Sequence, residues 1–307
     1  MEQIRKEITM SLEVNQLCKS FGSKVAVDHL SFSMDQPGVF GLIGTNGAGK
    51  TTTIRMILGI LRADQGDAKW NGKRITRETV KFGYMPEERG IYAKSKVLEQ
   101  LIYFGMLRGM RRDEAKKSAL SYMKRLNILE YQDMLAEKLS KGNQQKVQLI
   151  STLIHDPTLI FLDEPFSGLD PVNAESLRKL IGELTDEGKY IVMSSHQMSI
   201  VEEYCEELVI LDRGKTLLSG NLREIKAGYG HTNLVVSAEE DLGVLADECG
   251  LKLVERHADE SEYRITGDEM AQRFLSQMIA DGIYPVKYEI TEPSLHEIFL
   301  EKVGDQQ

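Results

Sequence analysis

Short apolar runs punctuate the chain ahead of residue 220: Val39 to Ile43, Leu159 to Leu162, Tyr190 to Met193 and Leu208 to Leu211. Each is short enough to be a strand, and the wholly apolar Leu159 run has the character of a strand buried on both faces of a parallel sheet. An apolar helix over Ile54 to Leu61 follows the first run. Residues 10 to about 85 read as β-rich, and residues 90 to 137 as helices, with Leu101, Ile102, Phe104, Met106 and Leu107 at helical spacing. From 157 to 220 strands and helices alternate, and they close in a hairpin whose turn is Asp212-Arg213-Gly214 and whose second strand runs through Leu218. The pattern predicts an α/β fold.

Past Ala227-Gly228-Tyr229-Gly230 the elements become smaller. The pattern predicts strand 232–237, helix 239–248, strands 251–256 and 261–265, helix 267–281, strand 283–290 and helix 293–302. That order is a repeated split β-α-β unit, a ferredoxin-like α+β module. Tyr284, Val286, Tyr288 and Ile290 alternate with Pro285, Lys287 and Glu289, as in a half-buried strand. Two domains are therefore expected, 10–226 and 231–307. The second holds no phosphate loop, metal-ligand spacing or nucleophile cluster.

Candidate chemistry begins after the first apolar run. Gly44-Thr45-Asn46-Gly47-Ala48-Gly49-Lys50-Thr51, followed by Thr52, fits G-x-x-x-x-G-K-[ST] directly behind a strand. Glycines let the backbone turn tightly so that successive N–H groups point inward, and the following helix aims its positive end at the same point. A polyphosphate fits there. Lys50 would reach the β- and γ-phosphates and the Thr51 hydroxyl would ligate Mg²⁺. The run 159–164 ends in two carboxylates at a strand's C-terminal edge. Asp163 would hold the Mg²⁺ shell and Glu164 would polarise the attacking water.

Between these two motifs lies Leu139-Ser140-Lys141-Gly142-Asn143-Gln144-Gln145-Lys146. It resembles the Leu-Ser-Gly-Gly-Gln signature of the nucleotide-binding subunits of ATP-binding cassette (ABC) transporters, with Lys141 and Asn143 replacing two of the five residues. Ser140 also suits an N-cap for the helix that runs on from Gln144. The resemblance implies a P-loop ABC cassette binding ATP and Mg²⁺, with a helical subdomain at about 90–155. In that family Ser140, Gly142 and Asn143 would cap the γ-phosphate of ATP held by the opposite subunit. Ser167-Gly168-Leu169-Asp170 matches the D-loop at the dimer axis, which brings in Asp170. His196, after Ser194-Ser195, matches the switch histidine at the γ-phosphate. Phe21 matches the aromatic that stacks on adenine; a core Phe in a hairpin is the alternative. Phe82 to Gly90 aligns with the Q-loop, but Glu87 stands where the family has glutamine. A carboxylate there still ligates Mg²⁺ or water, while adding negative charge beside the triphosphate and accepting without donating.

Composition sets the context. The chain has 307 residues, 41% hydrophobic, a net charge of −9 and three cysteines, Cys18, Cys205 and Cys249. That balance argues against a general nucleic-acid binder, and the cysteines are too scattered for a disulfide framework or a zinc site. Arg108, Arg111, Arg112, Lys116 and Lys117 read as a solvated helical face. No run is long and apolar enough to span a membrane, Met1 to Lys6 lacks a signal-peptide core, and residues 1–9 are expected to carry no function.

The ending Glu292-Pro293-Ser294-Leu295-His296-Glu297-Ile298-Phe299-Leu300 extends the resemblance to bacterial type-2 exporters of the sodium-extrusion and drug-export group. It implies an ATPase on the cytoplasmic face of the membrane. Such a subunit closes as a homodimer, or as a heterodimer with a second cassette, and drives a separate hydrophobic permease. Two other classes stay open. A soluble ABC ATPase acting on ribosomes or DNA usually has two cassettes or a long coiled coil; this chain has one cassette and no sustained heptads. A P-loop kinase of small molecules would have no use for the signature or His196.

Overall fold

The computed structural model describes residues 10–88, 90–256 and 260–304. Residues 1–9 and Arg89 of the Phe82–Gly90 loop lie outside the described residues. The chain divides into two compact units between Ser219 and Gly220, where the sequence suggested 226.

In the first unit, strands β1 (Leu12–Phe21) and β2 (Lys24–Met34) form an antiparallel hairpin. β3 (Gly38–Gly44) runs into the phosphate loop and helix α1 (Lys50–Ile57), and β4 (Gln65–Trp70), β5 (Lys73–Arg74) and β6 (Phe82–Met85) follow. Then come α2 (Val97–Leu107), α3 (Arg112–Arg125), α4 (Lys141–Leu153) and β7 (Leu159–Asp163). The unit continues through α5 (Pro171–Asp186), β8 (Tyr190–Ser195), α6 (Met198–Tyr204), β9 (Glu207–Asp212) and β10 (Lys215–Asn221), whose last two residues fall past the boundary.

Two sheets result, one in the order β2-β1-β4-β5 and one in the order β10-β9-β3-β8-β7-β6. In the larger sheet β9, β3, β8, β7 and β6 are mutually parallel. Every residue of β7 and β8 is buried, which is why those segments read as unbroken apolar runs. Parallel strands present their C-terminal ends along one edge, so the residues after β3, β7 and β8 become neighbours.

The helical stretch 90–137 contains α2 and α3 and two 3₁₀ turns, Leu129–Tyr131 and Ala136–Lys138. Leu101 and Ile102 are buried as their spacing predicts, but Met106 and Leu107 are exposed. The buried face of α2 runs Val97, Leu101, Gly105 at intervals of four, and the next two positions fall off it. α1 stops earlier than the expected 54–61 helix: it ends at Ile57, capped by Leu58 before Gly59 at φ +67°.

In the second unit α7 (Leu222–Tyr229) precedes β11 (Asn233–Ser237), α8 (Gly243–Glu248), β12 (Lys252–Arg256), β13 (Ser261–Arg264), α9 (Asp268–Ala280), β14 (Lys287–Thr291) and α10 (Leu295–Gly304). The sheet order β12-β13-β11-β14, antiparallel throughout, is the ferredoxin-like arrangement. Leu234, Val236, Tyr263, Ala271, Phe274 and Met278 fill its core.

Two expected elements are corrected here. α8 starts at Gly243 rather than 239, because the Asp241 carboxylate accepts from the Gly243 N–H and closes a turn ahead of the helix. β14 starts at Lys287 rather than 283. Its partner β11 is five residues long, so the ladder from Asn233↔Thr291 ends at Ser237↔Lys287. Tyr284 and Val286 lie beyond it, 72% and 80% exposed.

The Pro293-Ser294…Glu297 ending has a physical reason. Glu297 accepts from the Ser294 N–H at 2.8 Å and from Asn233 Nδ2 at 2.9 Å, and pairs with Arg264 at 2.6 Å. Burial opposes its ionisation, yet these partners outweigh burial and lower its pKa. One carboxylate thus caps α10 and ties it to β11 and β13.

Candidate functional site

The loop between β3 and α1 closes where only glycine fits. At Gly49, φ is +111° and a Cβ would stand 2.4 Å from the Ala26 carbonyl oxygen. Lys50 is buried at the start of α1, where its Nζ donates to the carbonyls of Gly44 at 2.7 Å and Thr45 at 3.2 Å. The same Nζ lies 3.1 Å from Glu164 Oε1. Lysine, strand end and carboxylate therefore meet at one point.

The two acids after β7 have different surroundings. Ser194, at the end of the neighbouring β8, donates from Oγ to Asp163 Oδ1 at 2.6 Å and accepts from the Glu164 N–H at 3.0 Å. Glu164 sits in the left-handed region at φ +53°, an uncommon conformation for a residue with a Cβ. That bend turns its carboxylate back toward the loop. Its Oε2 meets His196 Nδ1 at 2.7 Å and its Oε1 faces Lys50. Asp163 Oδ2 and Glu164 Oε1 are buried without a hydrogen bond. Buried acceptors of this kind are costly unless a donor or cation reaches them.

A cavity of about 470 Å³ opens over the loop. Of the residues expected at the site, Phe21, Asn46, Gly47, Gly49, Lys50, Thr51, Thr52, Glu87 and Glu164 line it. Phe21 is 52% exposed, with Lys19 Nζ 5.5 Å from its ring centre, so it is not the core residue of a hairpin. Gly44, Thr45 and Ala48 shape the loop from behind. Asp163 is fully buried beside Ser194, and His196, 37% exposed, reaches the cavity through Glu164.

Ser140, Gly142, Asn143 and Asp170 do not line the cavity. Ser140 caps α4, accepting from the Asn143 N–H at 3.2 Å, and Asp170 caps α5, accepting from the Asn173 N–H at 3.0 Å. The two caps touch: a Cβ on Gly142 would stand 2.4 Å from Asn173 Nδ2. The hydrogen bonds from Asn173 lower the Asp170 pKa, and burial lowers that of Lys146 on α4 against the pull of Asp170.

Sequence reasoning missed four contributors. Lys24 and Ala26, just past the Phe21 turn, also line the cavity. Gln148 is buried on α4, where its amide donates to the carbonyls of Pro86 at 2.8 Å and Glu88 at 3.0 Å, gripping the backbone on both sides of Glu87. Ser194 organises both acids. A polar residue at an apolar helix position was the available signal for Gln148, and a serine pair ending an apolar strand was the signal for Ser194.

The donor set fits Mg²⁺: Asp163 Oδ2, the Thr51 hydroxyl and the Glu87 carboxylate are oxygen donors, the kind this hard cation selects.

Fold and site define a P-loop ATPase built as an ABC cassette. Comparison with known proteins gives the family. Residues 27–167 match the ABC transporter family, and residues 220–303 match the C-terminal domain of DrrA1-3-like ATP-binding proteins. The chain is 44% identical over 294 residues to YhaQ of Bacillus subtilis, an ABC transporter ATP-binding protein, covering 95% of this chain and 98% of YhaQ. It is 28% identical over 305 residues to the linearmycin resistance ATP-binding protein LnrL of the same organism, covering 95% and 98%. A solved ATP-binding subunit of an ABC transporter superposes with a TM-score of 0.65 at 29% identity, covering 71% of this chain and 92% of that one. This chain belongs to the ABC transporter ATP-binding proteins and is an ATPase subunit of a transporter.

Proposed function

We propose that this chain powers a membrane exporter, working as a peripheral subunit on the cytoplasmic face and pairing with a second cassette around two ATP molecules. The observation that carries this reading is the separation within the site. The phosphate loop, Phe21, Glu87 and Glu164 share a cavity, while the signature residues Ser140, Gly142 and Asn143 lie apart from it at a capped helix start. A second copy supplies the missing half. The similarity to LnrL, a linearmycin resistance protein, and the DrrA-like C-terminal domain support export.

Each residue then has a physical task. Without nucleotide the Lys50 charge is compensated by Glu164 and two carbonyls; an arriving triphosphate takes over that partner role. Glu164 Oε1 is thereby released to orient water and accept its proton, while His196 Nδ1 keeps Oε2 in place. Phe21 offers a face for adenine. Asp163, Thr51 and Glu87 would hold Mg²⁺, which neutralises charge on the phosphates when bound.

Mixing variants tests the shared site. Lys50→Ala and Ser140→Arg chains are each expected to be inactive alone, and equal mixing restores one intact site in mixed dimers. Random pairing across a two-fold interface gives roughly a quarter of the unmodified ATPase activity. Activity no higher than that of either variant alone overturns the reading.

The permease needs a docking face. A cavity of about 400 Å³ is lined by Arg74, Arg77 and Arg108, none of which has an ion-pair partner among the described residues. Burial, and then Arg77, lower the Arg108 pKa. Tyr103, Met106 and Leu107 expose apolar surface on the same helix α2 that ends at Arg108. This corrects the reading of Arg108 as part of a solvated face. A partner with apolar and acidic groups suits this surface. Truncating one partner of a buried, hydrogen-bonded interfacial charge pair costs roughly 2 to 5 kcal/mol and like charges opposed there add to that, so an Arg77→Glu, Arg108→Glu chain is expected to leave the membrane fraction of its own cells while retaining ATP binding. A variant that still sediments with the membranes removes this surface from the proposal.

A further inference from the structure

The spacing of the cysteines argued against a zinc site, but the fold brings Cys18 together with two ligands from the neighbouring strand. Leu17↔Leu30 and Lys19↔Val27 are paired across β1 and β2, so Cys18 alone faces both Asp28 and His29. This is a β-bulge. In a regular strand consecutive side chains point to opposite faces, but His29 is in the left-handed region at φ +49°. The departure brings both neighbours onto the thiol. The His29 N–H lies 3.3 Å from Cys18 Sγ, and His29 Nδ1 lies 2.7 Å from Asp28 Oδ1. One sulfur, one imidazole nitrogen and one carboxylate oxygen all lie within 4.8 Å of one another, the one such convergence of three or more ligand residues among the described residues.

We propose that Cys18, Asp28 and His29 bind a divalent cation of the zinc type. A borderline-soft ion accepts this mixed S, N, O set, whereas Mg²⁺ and Ca²⁺ demand oxygen ligands alone. Three protein ligands leave a fourth tetrahedral position for water, and His29, 60% exposed, keeps that side open to solvent. Binding converts the Cys18 thiol to a thiolate, forming the metal–sulfur bond and releasing its proton to solvent, and it replaces the His29–Asp28 contact by two metal–ligand bonds. The site is separate from the Mg²⁺ oxygens at the phosphate loop. It lies on the hairpin that carries Phe21, and Asp28 is anchored through its N–H to the Gly214 carbonyl at 2.8 Å. An ion there staples the bulge of the hairpin that forms the adenine side of the cavity.

The test uses the full chain, nucleotide-free, reduced and freed of metal. Zn²⁺ is titrated against a chromophoric chelator, and Cd²⁺ is followed by ultraviolet thiolate-to-metal absorption. The expected result is one Zn²⁺ per chain with micromolar or tighter affinity and a Cd²⁺ thiolate band. Cys18→Ser and His29→Ala each weaken Zn²⁺ by at least about tenfold, since even outer partners of metal ligands are worth that much. Cys18→Ser abolishes the band, and Cys249→Ser changes neither. The proposal is overturned if the unmodified chain gives no Cd²⁺ thiolate band, if the band survives Cys18→Ser, or if the exposed His29→Ala variant binds Zn²⁺ as tightly as the parent.

Discussion

Glu164→Gln is expected to bind Mg-ATP normally, to hydrolyse it roughly 10² to 10⁴ times more slowly, and to accumulate as an ATP-bound dimer. The amide preserves the size of the side chain and an oxygen for His196, which holds the carboxylate at 2.7 Å. What it removes is the basic oxygen, Oε1, which is buried facing the Lys50 ammonium at 3.1 Å. Ground-state binding depends little on that atom, while proton removal from water depends on it directly. ATP then persists between the two copies, and a ligand that binds only the closed pair shifts the association equilibrium toward it. Asp163→Asn is expected to weaken nucleotide binding as well, because it disturbs the oxygen ligands for Mg²⁺ and the Ser194 hydrogen bond. Size-exclusion chromatography with Mg-ATP decides the matter. A Glu164→Gln monomer carrying bound ATP would place the water-activating carboxylate elsewhere, with Glu87, which lines the same cavity, next in line.

Lys50→Ala is expected to lower ATP affinity by at least about a hundredfold, since two or more charge-assisted hydrogen bonds of roughly 1.5 to 3 kcal/mol each are lost. Lys24 also lines the cavity, so Lys50 is not its only cation; its distinction is burial at the loop itself. The variant has a second consequence. Glu164 is 6% exposed and would lose its buried cation, a change that costs up to roughly 3 to 5 kcal/mol when no other partner remains. His196 remains, so the loss is expected to fall short of that range. Equilibrium nucleotide binding and a thermal melt in the absence of ATP read the two effects separately. Unchanged ATP affinity refutes the phosphate-loop assignment, whatever the melt shows.

The contrast between Phe21 and Gln148 shows which parts of the site were legible in the sequence. Phe21 was singled out through a short motif, but the sequence left a core position open, and only its 52% exposure at the cavity mouth removed that alternative. Gln148 was not found, because its role is to hold the backbone of a loop some sixty residues earlier. The same limit applies in the second unit. Alternation correctly marked Tyr288 and Ile290 as half-buried, yet it continued through Tyr284 and Val286, past the last strand pair at Ser237↔Lys287, where only the Val286 N–H still reaches β11.

By itself the sequence determined the α/β class, the cassette family and the ferredoxin-like order of the second unit, and it proposed the phosphate-loop and strand-end groups of the site. Those follow from local requirements: glycines and a lysine must be contiguous to wrap a phosphate, and acids must end an apolar strand to sit at a sheet edge. Tertiary structure alone decided that Glu164 faces Lys50 and His196 at once, that the signature lies outside its own cavity, that three arginines meet with no counter-ion among the described residues, and that a bulge turns Asp28 and His29 onto Cys18. Each depends on residues distant in the chain or on a single backbone angle, and neither spacing nor periodicity encodes the register between strands or the sign of φ at one residue.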